Sequence, residues 1–227
     1  MKDSGEGVRI VADFKKLNQA IERPVWPTES SSQLLRHISP SAKYFISLDL
    51  TSGYHQVRVD QESQNLLCIT TPMGRYRYTV LGQGITSASD IFNLLTDGDI
   101  RYSGIHAIKN MDDILTYSDT LEGLKKELEL FLEMCKKKNL KLKTSKFRVG
   151  EEVEFGGTII SSETVGKDTV VCILPKNACI QAFQNLKKPT TKRDVQVFCG
   201  MLASLQQWNL SVPLNCQLLQ AATGARG

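Results

Sequence analysis

The sequence predicts an α+β fold in which antiparallel strand hairpins are interleaved with amphipathic helices. Short apolar segments lie in pairs on either side of tight-turn residues, at Pro72-Met73-Gly74 and at Met111-Asp112-Asp113, which is typical of hairpins. From residue 121 onward, apolar side chains recur every three or four positions, which indicates a long helix. Because strands follow one another through tight turns, this order disfavours a doubly wound parallel sheet.

Each element is predicted from its local pattern. The predicted strands are 9–14, 43–50, 55–59, 66–71, 75–80, 105–110, 114–117, 153–160 and 170–174. The predicted helices are 87–95, 121–138, 178–186 and 192–208. Ser87 or Ser89 is available to cap the first helix, and Asp119 or Ser118 the second. Asn139 suits the left-handed residue that ends the second helix.

Composition excludes several classes of protein. The 227 residues are 41% hydrophobic and 23% charged, so the chain can bury a core and does not read as disordered. No apolar run approaches the roughly 20 residues of a membrane span, and the opening residues are polar, unlike a secretory signal. Six cysteines without a CxxC pair, and three scattered histidines, disfavour a zinc site or disulfide framework and favour an intracellular location.

The basic residues are unevenly placed. Net charge is +4, which is compatible with a polyanionic partner but does not require one. The strip from Lys136 to Lys146 is rich in lysine and contains no acidic residue. One interpretation is a solvated helix end, where lysines favour the negative pole of the helix dipole; the other is a surface that faces phosphate groups.

Three aspartates stand at the ends of apolar strands. Asp49 follows Phe45, Ile46 and Leu48, and the pair 112–113 occupies the turn between two more strands. If those strands are neighbours in one sheet, the three carboxylates converge and repel one another, and a divalent cation would relieve the repulsion. Two such ions about 3.5–4 Å apart catalyse in-line displacement at phosphorus. The alternative is structural: a helix cap at the first aspartate and an ordinary hairpin turn at the pair.

Taken in order, these segments resemble the reverse transcriptases of long-terminal-repeat retroelements, most closely the Ty3/gypsy-like group. The blocks that carry the resemblance are RIVADFKKLN (9–18), AKYFISLDLTSGYHQ (42–56), LGQGITSA (81–88), MDDIL (111–115), NLKL (139–142) and FGGTII (155–160). A single block would be weak, but the ordered series is specific. The resemblance implies a right-hand polymerase, with a palm whose antiparallel sheet packs on helices, partial fingers and a partial thumb.

The resemblance also implies roles for individual residues. Two Mg²⁺ ions, with Mn²⁺ as a substitute, would be held by the catalytic aspartates Asp49, Asp112 and Asp113. Lys146 would protonate the leaving pyrophosphate. The deoxynucleoside triphosphate would be bound by Lys2, Arg9, Leu50, Tyr54, Gln83 and Gly84, where Tyr54 is the aromatic gate that excludes a ribose 2′-hydroxyl. The primer terminus would be gripped by Met111, Phe155, Gly156 and Gly157.

The resemblance further implies a division of the chain and an origin in a longer protein. Residues 1–170 would form partial fingers and the palm, and residues 171–227 the helical start of the thumb or connection. A chain that opens inside a strand pattern is expected to come from a larger polyprotein that carries the remaining polymerase parts and a ribonuclease H domain. The chain departs from the family pattern at Asn110, Gly82, Ser89 and Asn93, where tyrosine, proline, proline and glutamine are usual.

The expected function is RNA-directed DNA polymerase activity, with an RNA or DNA template, a primer and deoxynucleotides as partners. Two alternatives stay open. Because Asn110 replaces a tyrosine beside the primer and subdomains are missing, the chain could be an inactive remnant that binds nucleic acid or a protein. It could also be a fragment that does not fold, since a strand edge left exposed is an aggregation hazard.

Overall fold

A computed structural model describes residues 12–101, 103–166, 168–185 and 188–205. In these ranges the strands are β1 (Tyr44–Asp49), β2 (Cys68–Thr71), β3 (Gly74–Arg77), β4 (Ala107–Asn110), β5 (Asp113–Ser118), β6 (Arg148–Gly150), β7 (Glu152–Phe155), β8 (Thr158–Val165) and β9 (Asp168–Pro175). The α-helices are α1 (Lys15–Asn18), α2 (Ser31–Leu34), α3 (Gln61–Gln64), α4 (Ala88–Arg101), α5 (Leu121–Lys138), α6 (Asn177–Gln184) and α7 (Lys192–Leu205). Short 3₁₀ helices lie at Leu35–His37, Gly53–Gln56 and Thr144–Lys146.

The central sheet has the strand order β4-β5-β1-β6 within the described residues, and every pair is antiparallel. Alternation along β1 separates two cores, because successive side chains of a strand point to opposite faces. Ile46 and Leu48 lie in a core with Phe92 and Phe131 from α4 and α5. Phe45 lies in the other core, which the β7–β8 hairpin completes. The sheet is therefore covered on both faces.

Two further hairpins complete the described strands. β2 pairs with β3 around residues 72 and 73, as the turn chemistry predicts. β7 pairs with β8, and Gly156 and Gly157 between them have φ of 55° and 88°. The single strand predicted over 153–160 is therefore two strands joined by a hairpin turn, whose two positive φ values suit glycine.

Helix α5 has the predicted bounds, but its N-cap is not one of the two predicted residues. Its N-cap is Thr120, whose Oγ1 accepts a hydrogen bond from Gly123 N at 3.0 Å, so the prediction of Asp119 or Ser118 is wrong. At the other end Asn139 adopts the left-handed conformation, with φ of 56°. Its N–H bonds to carbonyls of the last turn, which confirms the predicted stop.

Other differences from the predicted elements follow from local geometry. Residues 55–59 do not form a strand: the chain turns through the 3₁₀ helix Gly53–Gln56 and only Arg58 makes an isolated bridge, to Val80. Residues 12–14 are not in a strand, and the rest of the predicted 9–14 strand and residues 206–208 of the last helix lie outside the described residues. β9 pairs with β8 across residue 170, so the predicted division between residues 170 and 171 falls inside a strand. None of the described helices is long and apolar enough to span a bilayer.

Candidate active site

Sheet pairing brings the three predicted aspartates to one end of β1 and β5. Asp49 and Asp113 lie directly opposite each other in the antiparallel register, so their side chains are on the same face. Asp112 precedes β5, and its carbonyl accepts a hydrogen bond from Leu50 N at 2.9 Å. Directly opposed like charges destabilise a strand pair, which makes this pairing hard to explain by folding alone.

Part of this acidic cluster is buried in the protein. Burial raises the pKa of Asp112, and the negative charges of Asp49 and Asp113 raise it further. The pKa of Asp113 is also raised, first by burial and then by Asp49. One oxygen of Asp112, Oδ1, is buried, and no donor among the described residues reaches it. The site therefore carries negative charge that the surrounding protein does not fully compensate.

Lys146 supplies a positive charge at the rim. Its ammonium forms an ion pair with Asp49 Oδ2, and this contact raises the pKa of Lys146. The ammonium therefore stays protonated at neutral pH. Its side chain is 53% exposed, so it faces both the carboxylates and solvent.

The donor set suits a hard divalent cation. In this conformation no three His, Cys, Asp or Glu side chains of the described ranges already meet as a metal site. Lys146 takes one oxygen of Asp49, and Asp112 Oδ1 is turned inward. Nevertheless, carboxylate oxygens are the ligands that Mg²⁺ prefers, and the unpartnered oxygen and the raised pKa values of Asp112 and Asp113 are what a bound cation would relieve. Asp49, Asp112 and Asp113 thus fit such ions.

Among the predicted nucleotide-binding residues, Tyr54 and Gln83 are half-buried. The Tyr54 ring packs edge-on against Phe92, with centroids 5.4 Å apart. Gly84 has φ of 97°, and a Cβ there would come within 2.9 Å of the Ala12 carbonyl. The absence of a side chain at Gly84 therefore leaves room for the backbone of Ala12.

Two of the predicted contact residues have side chains that are buried in the cores. Leu50 is 2% exposed, lies in the core and forms a backbone bridge with Leu142, so its side chain does not reach a nucleotide. Phe155 is also 2% exposed and packs in the second core, where its side chain anchors the β7–β8 turn. Lys2 and Arg9 lie outside the described residues.

The remaining predicted primer contacts flank the aspartate turn. Met111 has a left-handed φ of 55° and is 38% exposed. Asn110, which replaces the usual tyrosine, donates to Ser31 Oγ at 3.0 Å. A Cβ at Gly156 would lie 3.1 Å from the Asn110 amide, so the glycine turn and the aspartate hairpin are adjacent.

The lysine strip runs beside Asp49. Lys143 N donates to Asp49 O at 2.7 Å, and Thr51 N donates to Lys141 O at 2.9 Å. Leu50 and Leu142 face the core between these bonds, so by alternation the two lysines lie on the face of Asp49 and Thr51. Lys136, Lys137 and Lys138 are exposed at the end of α5. Part of the strip is therefore a helix end, and part borders the aspartates.

Two residues of the site were missed by sequence reasoning. Gly53 contacts Asp112, since a Cβ there would come closer than 3.0 Å to Asp112 Oδ1. Lys109 lies buried in β4 and pairs with Asp97. Lys109 could have been recognised as a lysine inside an otherwise apolar strand. Nothing in the local sequence marks Gly53.

Comparisons with known proteins identify the family of the chain. Residues 1–160 match the family model "Reverse transcriptase (RNA-dependent DNA polymerase)". The chain is 30% identical over 203 residues to the Pol polyprotein of transposon opus and 27% identical over 195 residues to that of transposon gypsy, both of Drosophila melanogaster. It is 28% identical over 217 residues to the Tf2-3 polyprotein of Schizosaccharomyces pombe. These matches cover 88%, 85% and 92% of this chain but 19%, 18% and 16% of the relatives, so the chain spans less than a fifth of their length.

Solved structures show the same fold. A foamy viral protease-reverse transcriptase in complex with double-stranded DNA superposes with a TM-score of 0.78 at 20% identity, over 87% of this chain and 33% of that one. The foamy viral protein in complex with an RNA/DNA hybrid gives 0.75, also at 20% identity, over 87% and 26%. The predicted α+β polymerase fold and the Ty3/gypsy-like resemblance are thus confirmed. The chain belongs to the reverse transcriptase (RNA-dependent DNA polymerase) family.

Proposed function

We propose that this chain is the polymerase domain of a retroelement Pol polyprotein and adds deoxynucleotides to a primer on an RNA or DNA template inside the cell. The observation that carries the proposal is the register pair Asp49–Asp113 with Asp112 beside it. Repulsion among these carboxylates costs stability in the metal-free protein, and such a cost is typical of a functional site.

Each residue has a separate task in the proposed reaction. Asp49, Asp112 and Asp113 would hold two Mg²⁺ ions, or Mn²⁺ in their place, and the bound ions would activate the primer 3′-hydroxyl and neutralise charge on the triphosphate. Lys146 holds its proton at Nζ, at the rim, where it can be given to the leaving pyrophosphate. Tyr54 limits the space beside the sugar, and the Gly156–Gly157 turn supports the primer end.

The domain division is proposed with one adjustment. The sequence predicts partial fingers and palm over residues 1–170 and the thumb or connection over 171–227. Because β9 pairs with β8 through residue 175, we extend the first part to residue 175 and start the helical part at α6. The remaining polymerase and ribonuclease H parts would be supplied by the longer polyprotein.

Primer extension tests this function. The assay uses an RNA template, a DNA primer, dNTPs and Mg²⁺, and compares the parent with Asp112→Asn and with Asp119→Asn, an exposed control aspartate. We expect extension by the parent and the control, and none by Asp112→Asn. Extension that survives Asp112→Asn would refute the assignment of the site.

The second candidate function is an inactive remnant that still binds nucleic acid. Asn110 favours it, because its amide is tied to Ser31 where an aromatic ring beside the primer is usual. A parent that binds primer–template but does not extend it would support this reading, whereas extension would exclude it.

A further inference from the structure

A buried ion pair lies beneath the aspartate turn. The side chain of Lys109 is 3% exposed, and its ammonium donates to Asp97 Oδ1 at 2.7 Å and to Asn93 Oδ1 at 2.8 Å. It also lies 5.0 Å from the centroid of the Phe92 ring. Burying such a pair gains little net stability compared with apolar side chains of the same size. The pair instead fixes the orientation of the neighbouring side chains, because its hydrogen bonds hold them in place.

The pair fixes the orientation of the Asn93 amide. Because Asn93 Oδ1 faces the ammonium, which can only donate, the donor end of the amide must point the other way. Asn93 Nδ2 accordingly donates to Thr28 Oγ1 at 3.2 Å and to Met111 Sδ at 3.7 Å. On the other side, Asp97 Oδ2 accepts from Trp26 Nε1 at 3.1 Å. One network thus joins residues 26–28, α4 and the turn.

Met111 is the point at which this network meets the site. It adopts the left-handed conformation, which is uncommon for a long side chain and needs support from its surroundings. It immediately precedes Asp112 and Asp113, so its backbone dihedral angles set the directions in which both carboxylates point.

We propose that Lys109 is a positioning residue: by orienting the Asn93 amide it holds Met111, and through Met111 it sets the direction of the aspartate pair. This inference rests on the proposed function, since its consequence is the rate of nucleotide addition. Lys109 itself touches neither nucleotide nor primer.

The test uses two variants and separates positioning from stability. Lys109→Met leaves the Asp97 carboxylate buried without its cation, so this single variant is expected to melt below the parent. Lys109→Met/Asp97→Asn removes both charges and keeps an acceptor for Trp26, so its melting temperature should return toward that of the parent. We expect kcat of the double variant to stay about ten- to a hundredfold low, with an unchanged KM for dNTP and unchanged primer–template affinity. Recovery of parental kcat in the double variant would overturn the inference.

A second readout does not need activity. The chain contains five methionines, so ¹³C-methyl labelling gives few resonances, and Met111→Leu identifies that of Met111. We expect this resonance to shift in the double variant and in Asn93→Asp, which keeps the acceptor for Lys109 but loses the donor to Met111. An unmoved resonance would refute the inference. If the parent does not extend a primer, the proposed function fails, and this resonance still decides the role of Lys109.

Discussion

Gly53 is the residue whose substitution tests the geometry of the site most directly. A Cβ at this position would lie less than 3.0 Å from Asp112 Oδ1 and 2.8 Å from Phe92 Cζ. Contacts between nonbonded heavy atoms are optimal at about 3.5–4.0 Å, so Gly53→Ala must displace both groups, and the carboxylate by roughly 1 Å or more. Phe92 is packed on all sides in the core, whereas Asp112 as a whole is half-buried, so most of the displacement falls on the carboxylate.

The expected losses in stability and in rate differ in size. Overpacking of this kind costs about 1–3 kcal/mol, and each kcal/mol lowers the melting temperature of a domain of this size by about 2–4 °C. A displacement of about 1 Å at a reacting group costs about a hundredfold in rate. The backbone of Gly53 is not in the left-handed region, so alanine adds no backbone strain to these effects.

The assay is single-turnover addition of one dNTP to a bound primer, well below the melting temperature. Gly200→Ala is the matched control, because a Cβ there, on the exposed face of α7, meets nothing within 4 Å. We expect the control to react at the parental rate and Gly53→Ala to react about a hundredfold more slowly. A parental rate for Gly53→Ala would refute the reasoning that places Asp112 against residue 53.

Three further predictions concern Asp113, Tyr54 and Cys135. Because the pKa of Asp113 is raised in the folded protein, the stability that this residue contributes below its ordinary pKa of 3.8 is lost as pH rises through the folded value. In EDTA, Asp113→Asn should therefore melt at a higher temperature than the parent at pH 7. A difference in melting temperature that did not shrink toward pH 4 would contradict this. Tyr54→Val should increase ribonucleotide incorporation about tenfold or more in primer extension, and unchanged selectivity would refute the gate. Burial raises the pKa of Cys135 to about 11, so iodoacetamide at pH 8 should label the exposed Cys68 and leave Cys135 unlabelled until unfolding, as peptide mass spectrometry would show.

Local patterns predicted much of the backbone. The helix from Leu121, its left-handed stop at Asn139 and the hairpin around Met111 depend on neighbours in the sequence, so periodicity and turn chemistry were sufficient. For residues 55–59 the same patterns predicted a strand, because polar and apolar residues alternate there, whereas the chain passes through the 3₁₀ helix Gly53–Gln56. The ordered sequence blocks predicted the family.

The sequence alone determined the α+β class, the family and the position of the three aspartates at strand ends. Tertiary structure decided which side chains reach the site. Leu50 and Phe155 stand next to site residues in the chain but point into the two cores, because successive side chains of a strand face opposite sides. Lys109 and Asp97 are twelve residues apart and meet only when β4 packs on α4. Contacts between such distant positions depend on how whole elements pack, which no local pattern encodes.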